Sequence, residues 1–529
     1  MKTNLTYLNF TQNVPSLQLL MNFDVDTQIP QDSKVRLACN IVERMDLSQV
    51  MSTYSRKGRK PVVDPITLFK IILFAYSEGI FSCRKIESFC LYDIRARYIL
   101  NGQVAPSYST IDRFRQLLVD HTQNLLTQYV QILLEENHLD LESIYIDGTK
   151  VEAVANRYTF VWRKSVEKYQ SRLKERIIKE FNMPTESTLK EVQEKVTYEF
   201  RTIQNLCKRL KIEFVFGSGK RKTQHQRDYE YLKDVASKFE KYEHHLEVMG
   251  DRNSYSKTDT DATFMRMKDD HMRNGQLKPA YNIQMASSGA FIVGVMGSQK
   301  ANDLHTLKPF LEKMIPSYGD NLHKIVADAG YESSENYTYL KEKNLAAYIK
   351  PANHELQKKK KTKDDIGRKE NMLYLAEQDA FVCHAGKLLN RQKDRTRKST
   401  SGFVDTMRVY SCFECSGCEY ASQCIKTRTT VSPSRKNITF SPAFEEFRKE
   451  SAFNISTEEG IDERINRSIQ AEGVFSKLKD GLRYDRFRHR GLKSVVSDIE
   501  LVALGINLNK LHNKIQKGQT EIIRYRKPA

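Results

Sequence analysis

Two aspartates stand where a carboxylate could reach out from a buried strand. Asp147 follows Ile144-Tyr145-Ile146 and precedes Gly148, and Asp328 follows Ile325-Val326-Ala327 and precedes Ala329-Gly330. A third acid, Glu472, lies in a helical stretch, 464–479, where Ile465, Ile469 and Phe475 are spaced to point inward. Lys479, seven residues on, sits two turns along the face of Glu472 and could clamp a phosphate. Carboxylates are hard oxygen ligands suited to Mg²⁺ or Mn²⁺. A pair of such ions about 4 Å apart creates a nucleophilic oxygen at neutral pH and neutralises charge on a phosphorane-like transition state. The chemistry on offer is therefore phosphodiester hydrolysis or transfer. Blander readings exist for each acid. Asp-Gly between apolar runs is also the commonest short hairpin turn, Asp328-Ala329-Gly330 also ends a strand, and most helical glutamates are solvated.

The elements that would position these residues follow from periodicity. Residues 1–30 read as a polar arm and 31–136 as a helical domain. Within it, Pro65 opens a helix carrying Leu68, Ile71, Ile72 and Ala75, which Gly79 ends. Ser82 with Lys85 and Ile86 opens the next, and Ser109 or Thr110 caps one bearing Ile111, Phe114 and Leu118. Short capped helices with a basic member are what a helix-turn-helix module shows, with Arg84, Lys85, Arg113 and Arg115 as DNA contacts. The alternative is a plain bundle with solvated arginines.

The period then changes. Strands are expected at 143–147, 280–286, 290–296, 324–328 and 346–350, with helices at 303–316 and 332–343. The charged stretch 163–250 reads as a long helical hairpin broken by a basic loop at 220–225. These pieces make 137–352 the first part of an α/β core with a helical insertion. Residues 353–455 form a basic and Cys-rich insertion, in which 353–402 read as a mobile linker or a DNA-facing loop. Residues 456–515 return to the core with the Glu472 helix, and 516–529 form a basic tail.

Cys412, Cys415, Cys418 and Cys424 place four thiols within 13 residues, a tetrahedral set for structural Zn²⁺; an iron–sulfur cluster or free thiols are the alternatives. Cys383-His384 could join if folded nearby. The remaining cysteines are scattered, as suits reduced thiols. Across 529 residues, 85 Lys and Arg outnumber 66 Asp and Glu, a formal net charge of +19 that points to a polyanion. Nucleic acid is favoured over a membrane. No apolar run approaches the roughly 18 residues that spanning requires, and no basic-then-apolar leader is read at Met1.

Two strand-end aspartates and one helical glutamate, in that order on an α/β core, match the RNase H-like nucleotidyl-transfer arrangement. The sequence also resembles DDE-type transposases of bacterial insertion sequences, of the insertion sequence 1182 type, related to the insertion sequence 4 and insertion sequence 5 types. The resemblance rests on Gly58-Arg59-Lys60-Pro61, Gly79 to Glu87 and Pro106 to Arg115 at the N-terminus. In the core it rests on Tyr145 to Ala153, Ser256 to Ala262, Lys278 to Asn282 and Val326 to Tyr331. It continues through Ser468 to Gly473, Lys479 and Arg488 to Gly491. One departure stands out. The arginine expected four residues before the glutamate is Ser468 here, and Arg467 or Arg464 would replace it.

The resemblance implies a cytoplasmic enzyme of the nucleoid that binds terminal inverted repeats as double-stranded DNA. It would cleave with two Mg²⁺ or Mn²⁺ ions held by Asp147, Asp328 and Glu472, and join 3′-hydroxyl ends to target DNA as a homodimer. Arg467, Lys477 and Arg490 would meet DNA, and Trp162 would stack on an end base or lie in the core. A nuclease without strand transfer and an inactive DNA-binding protein are the other readings.

Overall fold

A computed structural model describes residues 25–54, 61–217, 221–267, 275–426, 434–519 and 522. Most of the N-terminal arm, Gly58 to Lys60 and most of the basic tail lie outside the described residues. The chain divides into two compact units, Met1–Phe114 and Arg115–Ala529.

The first unit is helical: α1 (Val25–Gln28), α2 (Lys34–Glu43), α3 (Ser48–Ser52), α4 (Pro65–Ser77), α5 (Cys83–Tyr92), α6 (Ile94–Leu100) and the start of α7 (Tyr108–Leu118). α4 begins as its sequence dictates, with Pro65 in the first turn and the Asp64 carboxylate accepting from the Thr67 N–H at 2.9 Å. α7 starts earlier than the Ser109 or Thr110 cap expected, because the Ser107 hydroxyl accepts from the Thr110 N–H at 3.4 Å. The helical stretch expected to reach residue 136 divides at Phe114. Helix α8 (Thr122–Glu135) belongs to the second unit.

That unit is mixed α/β. β1 (Ser143–Glu152) runs well past Asp147, whose pairing partner is Met285, while Gly148 pairs with Gln284. The hairpin-turn reading of Asp147-Gly148 is thereby excluded. After β2 (Phe160–Trp162) the insertion forms three helices, α9 (Arg163–Glu180), α10 (Leu189–Arg209) and α11 (Gln224–Met249), not a hairpin. The unexpected break follows from Asn182 in the left-handed region and Pro184 two residues on. The insertion has its own core, in which Ile177, Val192, Val235 and Phe239 are buried.

Next come β3 (Ser254–Ser256), β4 (Thr263–Arg266), β5 (Leu277–Ser288), β6 (Phe291–Ser298), α12 (Leu307–Tyr318), β7 (Lys324–Ala327), α13 (Ser334–Glu342) and β8 (Ala346–Ile349). The sheet order is β4-β5-β1-β7-β8, with β6 also on β5. β4, β5 and β6 are joined by antiparallel pairings, β5 is antiparallel to β1, and β7 and β8 run parallel to β1.

Short helices α14 (His354–Lys358) and α15 (Lys360–Lys363) lead into a second sheet where a mobile linker or DNA-facing loop was expected. It contains β9 (Leu373–Leu375), β10 (Ala380–Val382), β11 (Leu388–Arg391), β12 (Arg395–Lys398), β13 (Val404–Cys412) and, after α16 (Ala421–Cys424), β14 (Lys436–Phe440). The lysines and arginines lie outward, while Phe381, Leu389, Tyr410 and Ile438 fill its core. That inner row outweighs the basic composition.

The chain returns through α17 (Pro442–Asn454), α18 (Glu458–Ser476), a π-turn at Lys477–Gly481 and α19 (Leu492–Gln516). α18 lies across β1, β5, β7 and β8. α19 is buried on nearly every side, and the Asn507 side chain bonds both the N–H and the carbonyl of Ile292 on β6 at 2.8 Å. Its start is fixed by the Ser256 to Ala262 segment. The Asp261 carboxylate accepts from the Leu492 N–H at 2.8 Å, and Asp259 accepts from the Tyr281 hydroxyl at 2.9 Å.

Gly460, in the first turn of α18, tests the join between α17 and α18. A Cβ there would lie 1.9 Å from the Asn454 carbonyl oxygen, so Gly460→Ala should destabilise the fold by about 1–3 kcal/mol in denaturant unfolding.

Candidate active site

The parallel register of β1 and β7 aligns Ile146 with Ala327. The next residues, Asp147 and Asp328, therefore stand side by side where that pairing ends. Both are half-buried. Asp147 Oδ1 accepts from the Gly148 N–H and Asp328 Oδ1 from the Gly330 N–H, each at 2.8 Å. Arg467 Nη1 lies 3.8 Å from Asp147 Oδ2, so this is the arginine of α18 that meets the acid. Helix α18 is seated on the same face of β1. Glu463 is buried there and accepts from the Ser143 hydroxyl at 2.6 Å and the Tyr145 hydroxyl at 2.5 Å.

Glu472 is elsewhere. It is exposed, with the Ser468 hydroxyl donating to it at 3.2 Å. Five residues beyond Arg467, it is turned about 140° around the helix. Lys479 lies half-buried in the π-turn. Among the described residues, no three His, Cys, Asp or Glu side chains are grouped so as to hold a metal ion. The structure thus brings the two aspartates together and leaves Glu472 apart. In donor chemistry the aspartate pair suits a hard divalent ion.

Behind the pair lies a polar network that the sequence reading did not assemble. Gln284 is the partner of Gly148 and shares its face of the sheet, opposite to that of Asp147. Asn282 and Gln284 are both buried, and their amides donate to Asp303 Oδ1 at 2.7 and 2.9 Å. The Tyr331 hydroxyl donates to Gln284 Oε1. Burial, then the charges of Asp303, Asp147 and Asp328, push the Tyr331 phenol well above its ordinary range. Two amides at alternate positions of an apolar strand were the available signal for this network. Asp303, in a short 3-10 turn, gave none.

The residues expected at DNA divide. Arg84, Lys85 and Arg113 are exposed in the first unit. Arg84 stacks over Tyr108 at 5.2 Å, and with Arg113, Ser82, Ser109 and Asp112 it lines an open hollow of about 400 Å³. Arg115 is buried instead. Its Nη2 pairs with Asp498 Oδ1 at 2.9 Å, and Asp498 also accepts from Tyr484. Trp162 is half-exposed against Phe264, with ring centroids 5.8 Å apart. Lys477 and Arg490 are exposed, and Arg490 Nε donates to the Val154 carbonyl at 3.1 Å.

Cys412, Cys415, Cys418 and Cys424 line one small cavity of about 20 Å³, and Cys383 and His384 reach it from the β10–β11 turn. All five sulfurs are free thiols. Burial first, then Cys412, pushes the Cys415 thiol up to about 11.

Two family descriptions match the chain. A Transposase DDE domain covers residues 382–512, and a Transposase domain (DUF772) covers residues 23–117. Each match covers less than half of the chain, and both descriptions are of transposase domains. The DDE match spans the second sheet, α18 and α19, and includes Glu472, whereas Asp147 and Asp328 lie outside both matched ranges. DNA is the partner on which transposases act, and DDE transposases generally use divalent metals. No curated protein and no solved structure matches significantly. No helix among the described residues is long and apolar enough to cross a membrane.

The contrast between Arg113 and Arg115 can be measured. Arg115→Ala removes the guanidinium that faces the buried Asp498 carboxylate and should cost about 3–5 kcal/mol in chemical unfolding. Arg113→Ala should stay within about 0.5 kcal/mol of the parent.

Proposed function

We propose that the chain binds the terminal inverted repeats of its insertion sequence, cleaves the DNA by metal-dependent hydrolysis and joins the freed 3′-hydroxyl ends to target DNA. The observation that carries this reading is the juxtaposition of Asp147 and Asp328 at the end of the β1–β7 pairing, in a chain with transposase domains at both ends. The strand order, three antiparallel strands followed by two parallel ones, supports an RNase H-like core, and the sequence motifs are those on which the insertion sequence 1182 type is proposed.

Asp147 and Asp328 would hold Mg²⁺ or Mn²⁺. When bound, the ion supplies Lewis-acid activation of water or of the 3′-hydroxyl and screens the scissile phosphate. Both carboxylates are oriented beforehand by backbone N–H groups, so little reorganisation accompanies binding. Arg467 lies against Asp147 and neutralises part of the acidic charge before DNA arrives. Glu472 is the proposed third acid and Lys479 its phosphate-clamping companion. Arg84, Lys85 and Arg113 meet the repeat DNA, Arg490 and Lys477 extend that contact, and Trp162 stacks on an end base. Pairing two ends calls for a homodimer. Cys412, Cys415, Cys418 and Cys424 would hold a structural Zn²⁺.

Asp147→Asn and Asp328→Asn should each lower Mg²⁺-dependent cleavage of an inverted-repeat duplex by at least about a hundredfold, while leaving gel-shift affinity for that duplex unchanged. Survival of metal-dependent cleavage in Asp147→Asn would overturn the assignment. Strand transfer is scored with paired, pre-nicked ends, where a hydrolysis-only enzyme gives no joined product. Native mass spectrometry of the full chain should find one zinc, lost in Cys415→Ser.

A further inference from the structure

Asp147 lies within β1 and Asp328 just past the end of β7, and the register of the two strands aligns their backbones without by itself setting the spacing of the two carboxylates. Asp303 lies behind both. Its Oδ1 is held by Asn282 and Gln284, and a Cβ on Gly148 would come within 2.8 Å of that oxygen and 2.4 Å of Gln284 Nε2. The carboxylate and the amide therefore press against the backbone next to Asp147. The other oxygen, Oδ2, faces the Asp328 turn, 3.7 Å from where a Cβ on Gly330 would be. The Asp303 turn and the Asp328 turn are also tied directly. The buried Asn336 amide donates to the Leu304 carbonyl at 2.9 Å and to the Tyr331 carbonyl at 2.7 Å. Tyr331 closes the ring by donating to Gln284.

We infer that Asp303 is a positioning residue, a brace on the opposite face of the sheet that sets the separation of Asp147 and Asp328. The inference rests on the proposed metal-dependent function. It assigns Asp303 no contact with ion or DNA: Gln284, which it holds, lies on the face of β5 opposite to that of Asp147. Its buried amide partners need an acceptor at Oδ1, and loss of that acceptor frees Gln284 and the Tyr331 hydroxyl together. The aspartates would then keep their strands but lose their fixed spacing, which weakens divalent-ion binding before it affects DNA binding.

The test uses the full chain with a duplex carrying its element's ends. Mn²⁺ binding is followed by electron paramagnetic resonance, and the Mn²⁺ midpoint of cleavage is measured in parallel. Asp303→Ala should weaken Mn²⁺ binding and raise that midpoint by about tenfold or more, with gel-shift affinity unchanged. Asp303→Asn keeps an acceptor oxygen and should stay within about threefold of the parent, a rescue that a ligand role would not allow. Equal impairment of Asp303→Asn and Asp303→Ala, or a parental midpoint in Asp303→Ala, overturns the brace. If Asp303→Ala does not fold, Tyr331→Phe must shift the midpoint in the same direction, and an unchanged midpoint overturns the brace equally. Asp147→Asn separates the two ideas. Cleavage surviving there defeats the proposed function, whereas abolished cleavage with a parental Asp303→Ala defeats only the brace.

Discussion

Parallel pairing between β1 and β7 is the constraint on which the rest of the second unit depends. Parallel neighbours cannot be joined by a tight turn, so the chain between them must travel. Here it travels through the three-helix insertion, the β5–β6 hairpin and α12 before β7 is laid down. The reward is a rigid register in which Ile146 and Ala327 are aligned and the next residues on both strands are acids. Everything packed on that sheet either preserves the register or uses it. Glu463 seats α18 on Ser143 and Tyr145, and Asn507 covers backbone groups of β6 that would otherwise be unpaired.

Polar groups in this core are arranged as closed sets. Arg115, Asp498 and Tyr484 form one, Glu500 with Thr122 and Lys313 a second, and Glu332 with Arg448 and the Ala352 N–H a third. A buried carboxylate is tolerated only when its lone pairs are met, because the penalty for an orphaned charge exceeds the gain from a single bond. Such sets specify one packing arrangement, and they concentrate where distant parts of the chain meet. Asp498 and Glu500 lie on α19, and their partners come from α7, α8, α12 and the turn before α19.

Much of this was legible in the sequence. β-branched runs ending in an acid marked β1 and β7, and Pro65 after Asp64 marked α4, because these signals are local. What was not legible depends on distance. Nothing near Asp303 announces that it will meet Asn282 and Gln284, and nothing in the basic stretch after residue 353 outweighs its lysines except a thin alternation of apolar residues. Arg113 and Arg115 are two residues apart on one helix and so about 200° apart around it. One faces solvent and the other is buried, a difference that composition cannot express. The placement of Glu472 is of the same kind, since its spacing to Lys479 was readable and the rotation of α18 was not.

The order of the elements has a consequence for synthesis. Asp147, Asp328 and the strands that align them leave the ribosome before α18 and α19, with the whole second sheet in between. Until those last helices arrive, the face of β1 bearing Ser143 and Tyr145 has no Glu463, and Asp147 has no Arg467. A growing chain therefore carries both aspartates on an uncovered, unseated sheet. Assembly of the centre is deferred to the end of translation, and a polypeptide released early would hold the acids without the scaffold that orders them.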